Sequence, residues 1–521
     1  MPKLSGKNII LGLLFLGLSI FYSIIFLQHI DFSQTTIFNL VHLKSLGNVF
    51  TSPINFDYWN HSGSQINLFS PWLSLLPGWL LVSLDTYFGF IVYFGLITFL
   101  TLLSAYFYMN KFANNTFEAL FFAVFYTFSI GRFNLIFHQQ RIENYLVLIF
   151  LPMVYYGVNL FFKNQRWQTL TWGCGLTFLT APYMAIVVVL TILPIYFLVL
   201  FKKSTHSWKY WRKLALNSLI VLGMSVLISV GFVGPMLQVQ LSRPLVQTPI
   251  KNIDYQQWFQ RLNLPAVQVY LLIGIAFLLL LVVIVTFLKS RFSYKIMILE
   301  MIPLTVISLI KLPKFDLDYS RLIFSAQIIL ELFLIILICR IVILVFQEFP
   351  SLIKLILMVV TIGAMIFLTI NQAAQIHPQT NLTAAQNFDY QKFIVNYHDQ
   401  AANGRNIVLV DHEPVKVSYH TKPNNYWLQY YDTGTSILDL PIQNYDAFNV
   451  QLNNEAVKVF KSARQTISLK TQPNKNIIEI QSGYNVVGIV SLLISLLGFL
   501  GLSYCSWPKS RFFSKKSPKK S

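Results

Sequence analysis

Acidic and histidine residues gather between the first apolar segment and the second. Residues 29–86 contain Asp31, Asp57, Asp85 and three histidines, but only one basic residue, Lys44. Asp31 follows the first apolar segment directly, where a carboxylate can accept a proton from an acceptor hydroxyl or hold a divalent metal. An ordinary solvated aspartate at a helix end is the alternative. We predict that residues 29–86, the first loop, form the reactive face of a membrane enzyme.

A second polar group lies in residues 131–144, the second loop. His138, Arg141 and Glu143 stand just before another apolar run. Polar groups at a lipid boundary are costly unless they face a wet cavity or each other. Arg141 and Glu143 are equally consistent with a surface ion pair, which contributes little energy.

Two arginines are candidates for binding a phosphate. Arg243 and Arg321 lie near predicted helix ends, and a guanidinium group binds a phosphodiester through two parallel hydrogen bonds. Asp316 and Asp318 are close enough in sequence to neutralise Arg321 instead. Glu331 falls within an apolar run, where we expect a buried hydrogen bond between helices.

The elements that must position these residues are membrane helices. The chain has 521 residues, 55% of them hydrophobic and 11% charged, with a mean hydropathy of +0.57. Lipid must therefore be the solvent for most of it. The apolar runs are continuous, which predicts helices and excludes a β-barrel. We predict about twelve transmembrane helices, at residues 8–28, 87–109, 117–131, 143–162, 168–181, 183–201, 214–236, 265–288, 296–310, 322–346, 352–370 and 484–504.

The net charge of +19 is placed as the positive-inside rule requires. About 21 of the 39 lysines and arginines fall in segments that this topology makes cytoplasmic, including the basic tail 505–521. This placement argues against a nucleic-acid partner. It predicts a multi-pass membrane protein with both termini in the cytoplasm. The three cysteines lie in or beside apolar runs and suggest neither a disulfide nor a metal site.

Two helices are predicted within the first loop. Residues 33–46 place Ile37, Leu40 and Leu43 on one apolar stripe. The segment 66–84 is apolar but contains two prolines and two tryptophans. Counting it as a span would invert the later basic loops, so we assign it to the membrane surface with Trp72 and Trp79 at headgroup depth.

The composition changes after the eleventh predicted span. Short β-type runs separated by turn residues predict a small extracytoplasmic all-β domain, similar to a β-sandwich, at 371–483. The transmembrane domain would occupy 1–370, the last helix 484–504 and the tail 505–521. The predicted strands are 406–410, 415–420, 447–452, 466–470 and 476–480.

The order of several motifs resembles a known superfamily. They are IDFSQTTIFN, GSQINLFSPWLSLLPG, FHQQRIENYLVLIFLPMVYYG, DYSRLIF, LPIQNYDAFNVQLNNEAV and SGYNVVGIVSLLISLLGF. In this order they look like the GT-C membrane glycosyltransferases, in particular the YfhO-like bacterial proteins and the neighbouring family labelled 6-pyruvoyl-tetrahydropterin-synthase-related. Each motif is degenerate, and only their order is specific.

The resemblance implies an all-α polytopic GT-C-like fold and a polyprenyl-phosphate-sugar-dependent glycosyltransferase. Asp31 would be the catalytic base, with Glu143 as a second acidic residue. His138 and Arg141 would line the cavity, and Arg243 or Arg321 would bind the lipid phosphate.

The implied partners are a polyprenyl-phosphate-linked sugar, membrane lipid and a cell-envelope glycan such as teichoic acid. No cofactor is indicated, and a divalent metal is left open. A transporter or flippase of a lipid-linked saccharide is one alternative, and a non-catalytic envelope assembly protein is the other. No Walker loop, HExxH or GxSxG motif is present.

Overall fold

A helical bundle makes up most of the protein, and a small β-region lies at one end of it. The computed structural model describes residues 6–200, 207–242, 291–309, 319–376, 378, 385–394, 407–444, 447–464 and 466–507. The helices of nine or more residues are α1 (Gly6–His29), α2 (Gln34–Ser45), α3 (Leu76–Leu84), α4 (Thr86–Ala113), α5 (Thr116–Thr127), α6 (Leu151–Asn164), α7 (Gln168–Phe178), α8 (Pro182–Leu200), α9 (Trp208–Ser242), α10 (Phe292–Leu309), α11 (Tyr319–Phe346), α12 (Ser351–Ala374) and α13 (Val486–Ser506).

Within the described residues, eight helical segments are long and apolar enough to cross a membrane. They confirm a multi-pass membrane protein, whereas the count of twelve spans stays a prediction. The predicted span at 265–288 lies outside the described residues. The eight segments are Asn8–His29, Thr86–Ala113, Thr116–Gln139, Ile142–Asn164, Trp208–Gln238, Arg321–Phe346, Ser351–Ala374 and Val486–Ser506.

The β-region consists of two antiparallel five-stranded sheets. One has the order β2-β1-β5-β9-β8 and the other β3-β4-β10-β6-β7. Apolar side chains from both sheets, among them Leu440 and Ile478, form one fully buried core, as in a sandwich. The strands are β1 (Val408–Val410), β2 (Glu413–Val415), β3 (Ser418–Lys422), β4 (Asn425–Asp432), β5 (Ile437–Gln443), β6 (Phe448–Leu452), β7 (Glu455–Ala456), β8 (Phe460–Lys461), β9 (Thr466–Lys470) and β10 (Asn474–Ser482).

The first loop completes the core of this sandwich. Ile54 and Phe56 are fully buried among the β-residues, and Leu68 is nearly so. The backbone N–H of Phe56 donates to the carbonyl of Pro423 at 3.0 Å. The Asn48 amide donates to the Asn424 side-chain oxygen at 2.5 Å. The β-unit is therefore assembled from two distant parts of the chain, not from 371–483 alone.

The helices predicted within the first loop are present. Leu40, Leu43 and Leu46 are fully buried in the core of the bundle. Ile37 is 7% exposed and packs with Trp59 and Ile66 of the first loop. The segment 66–84 contains the short helix Ile66–Phe69, a 3₁₀ turn and α3. Trp72 is 5% exposed and packs edge-on against Phe50. Trp72 belongs to the same hydrophobic core as the bundle helices.

Candidate active site

Asp31 lies in a short segment between α1 and α2 whose backbone is held from two sides. Its neighbours Ile30 and Phe32 are buried. The Asp31 carbonyl accepts a hydrogen bond from the Thr36 hydroxyl at 2.9 Å and from the Gln140 amide at 3.0 Å. The position of the carboxylate is therefore set partly by the second loop.

Gln140 is the residue that joins the two loops. Its side-chain oxygen accepts from the hydroxyls of Ser33 and Thr36, and its carbonyl accepts from the amide of Asn39. Gln140 is 7% exposed and has a φ of 56°. A left-handed conformation is uncommon for a residue other than glycine, so these hydrogen bonds hold the chain in a turn that it would not favour alone.

The second loop reaches Gln140 through a π-helical turn. This turn spans Leu135–Gln139, and such turns occur frequently at functional sites. His138 is exposed at its end, with its ring centroid 6.2 Å from that of Phe133. Arg141 and Glu143 follow and are half-buried. Among the described residues, Arg141 and Glu143 do not form an ion pair with each other. This part of the structure therefore lacks the surface ion pair that was the alternative interpretation.

Arg321 lies in the first turn of α11. Its guanidinium carbon is 5.1 Å from the centre of the Tyr183 ring, near the start of α8. This cation–π contact holds the guanidinium at the end of the helix. Arg243, the other predicted phosphate ligand, lies outside the described residues.

Helix α11 is also bonded to the second loop. The Glu331 carboxylate accepts a hydrogen bond from the backbone N–H of Gly131 at 2.8 Å, which is the buried interhelical bond that its mid-helix position predicts. A Cβ atom at Gly131 would overlap this carboxylate, so a larger residue there would displace the Glu331 side chain. The segments that carry Asp31, His138, Arg141, Glu143 and Arg321 are thus joined in series.

Asp85, His42 and His61 of the first loop make structural contacts. Asp85 caps α4 by accepting from the N–H groups of Tyr87 and Phe88. His42 contacts the Asn67 side chain at 3.0 Å, and burial lowers the pKa of His42 to about 4. The His61 ring is 2.7 Å from the carbonyl of Phe56.

Two residues of the second loop make important contacts that the sequence alone did not predict. Gln140 is one, because an amide in a polar run gives no sign of its partners. Arg132 is the other. It is 1% exposed, and its guanidinium donates to Thr98 at 2.8 Å and lies 5.1 Å from the centre of the Tyr22 ring. The apolar residues around Arg132 were the only signal that it is buried.

A metal site is not formed by the residues that the structure describes. Within them, no three His, Cys, Asp or Glu side chains lie close enough together to hold an ion.

The chain matches no known family model and no curated protein.

Proposed function

We propose that this protein is a membrane glycosyltransferase that moves a sugar from a polyprenyl-phosphate donor to a cell-envelope glycan or teichoic acid. The observation that carries the proposal is the series of bonds linking Asp31 through Gln140 and Gly131 to Glu331, on the helix of Arg321. It provides a base and a phosphate ligand on segments that are fixed relative to each other, as group transfer requires.

In the proposed reaction, Asp31 accepts the proton of an acceptor hydroxyl as its oxygen attacks the anomeric carbon. The bond from that carbon to the phosphate oxygen breaks, and polyprenyl phosphate leaves with the electron pair. Arg321 neutralises the negative charge on the departing phosphate. His138, Arg141 and Glu143 would contact the sugar or the acceptor.

The same proposal assigns the site to the outer face of a bacterial cell membrane, with both termini in the cytoplasm. The β-sandwich is attached to the first loop and therefore lies on the same face as Asp31. A glycan acceptor reaches that face without crossing the membrane.

Asp31→Asn tests the proposal in the purified, reconstituted protein supplied with a polyprenyl-phosphate-linked hexose and cell-wall glycan. Loss of a general base is expected to reduce sugar transfer by about 10²–10⁴-fold, while binding of polyprenyl phosphate is retained. Arg321→Gln should weaken that binding by about tenfold or more, because a charge-assisted hydrogen bond is lost.

Asp57→Asn is the matched control, since Asp57 is a carboxylate of the same loop with no place in the proposed site. Full activity in Asp31→Asn would contradict the proposal. It would leave a transporter of lipid-linked saccharides or a non-catalytic assembly protein, neither of which needs a base at this position.

A further inference from the structure

A cavity of about 210 Å³ opens at the end of the bundle away from the β-sandwich. It lies between α4, α6, α8, α10 and α11. Its wall is mostly apolar and aromatic, and the rings of Tyr155 and Phe333 meet edge to face there with centroids 4.7 Å apart.

An acidic side chain without a partner lines this cavity. Glu300 is 1% exposed, and neither of its carboxylate oxygens has a hydrogen-bond partner among the described residues. A buried carboxylate in this state is costly. The free energy is recovered when a positively charged or hydrogen-bond-donating group enters the cavity and contacts Glu300.

Two basic side chains lie at the mouth. Lys163 and Arg291 both line the cavity and are exposed at the ends of their segments. Arg291 precedes Glu300 by nine residues, which corresponds to about 13 Å along the axis of α10. Between them, the Ser293 hydroxyl donates to the Asn159 side chain at 2.7 Å. The cavity thus has basic groups at its mouth and a buried carboxyl group inside.

We propose that this cavity binds a small zwitterion, with its ammonium group against Glu300 and its anionic group at Lys163 and Arg291. Tyr155 and Phe333 line the cavity together with Glu300, and the faces of aromatic rings carry a negative potential that favours a cation. A ligand with only a positive charge is repelled at the mouth, and one with only a negative charge brings no cation to the Glu300 carboxyl group. The site is separate from the proposed sugar transfer.

Isothermal titration of the full-length protein in detergent tests the charge pattern with three probes. Phosphoethanolamine carries both charges, ethanolamine only the positive one, and inorganic phosphate only the negative one. Phosphoethanolamine is expected to bind at least tenfold more tightly than either half. Glu300→Gln should weaken its binding by about tenfold or more, as expected for loss of a hydrogen bond to a charged group.

The zwitterion has two possible sources, a soluble molecule or a lipid headgroup. Nanodiscs of phosphatidylglycerol, prepared with and without phosphatidylethanolamine, separate them. Phosphatidylethanolamine should compete with soluble phosphoethanolamine if the headgroup occupies the cavity, and should leave its binding unchanged if the ligand is soluble.

Lys209→Gln is the control, because it removes one exposed positive charge that does not line the cavity. Its binding should equal that of the wild type. Without ligand, Glu300→Gln should unfold at the same temperature as the wild type or a higher one, since it replaces a buried carboxyl group that has no hydrogen-bond partner among the described residues. The proposal is overturned if Glu300→Gln and the wild type bind phosphoethanolamine equally, or if neither binds it. A lower unfolding temperature of the variant would also overturn it.

Discussion

Replacing Gln140 with leucine should release the first loop from the second. Leucine is close to glutamine in volume but forms none of the side-chain bonds to Asp31, Ser33 and Thr36. The Thr36 hydroxyl has one proton and keeps the Asp31 carbonyl as its acceptor, so about two bonds are lost outright. At about 1–1.5 kcal/mol for each, the segment loses about 2–3 kcal/mol of local stability.

Hydrogen exchange followed by mass spectrometry measures this change directly. A loss of 2–3 kcal/mol corresponds to about 30- to 150-fold faster exchange of amides that open locally in the first turns of α2. Exchange in the β-sandwich should be unaffected, because its bonds to the first loop lie beyond residue 46. Sugar transfer should fall together with the protection.

Gln139→Leu is the matched control, because the Gln139 side chain makes only a long bond of 3.4 Å to Asn144 among the described contacts. If Gln140→Leu and Gln139→Leu exchange at the same rate in α2, then Gln140 does not join the loops, and the argument for a fixed site is wrong.

Two further predictions concern stability. Burial lowers the pKa of His42 from 6.5 to about 4, so the folded state binds this proton less readily than the unfolded state. The contribution of neutral His42 to the free energy of unfolding is therefore complete above pH 6.5. It falls by about 2 kcal/mol at pH 5 and is lost near pH 4. The unfolding temperature of the wild type should therefore drop more between pH 7.5 and pH 5 than that of His42→Gln, and equal drops would refute this origin. Gly89→Ala should lower the unfolding temperature at every pH, because its Cβ would overlap the carbonyl of Leu81; Gly6→Ala, with open space around it, should not.

The helices were largely predictable because each is specified by its own residues. Continuous apolar runs identified the membrane helices, and the spacing of Ile37, Leu40 and Leu43 identified α2. Five β-type runs were also found, although β4, β5, β7 and β8 were missed. Three tyrosines and a tryptophan alternate irregularly with polar residues in β4, and Pro441 interrupts the pattern of β5.

Interactions between distant residues were not predictable from one sequence. Ile54 and Phe56 look like isolated apolar residues of a loop, since their neighbours in the sandwich lie hundreds of residues later. In the same way, the position of Asp31 next to an apolar span suggested a site, but the partner that fixes it, Gln140, follows more than a hundred residues later.

The shared core of the sandwich also sets an order for biosynthesis. Asn48 and its partner Asn424 are separated by 376 positions, which a ribosome takes roughly 20–75 s to translate at about 5–20 residues per second. During that interval Ile54 and Phe56 emerge with no strands to cover them. Until the strands of the sandwich, residues 408–482, are made, this apolar loop must be shielded by the lipid surface or by a chaperone.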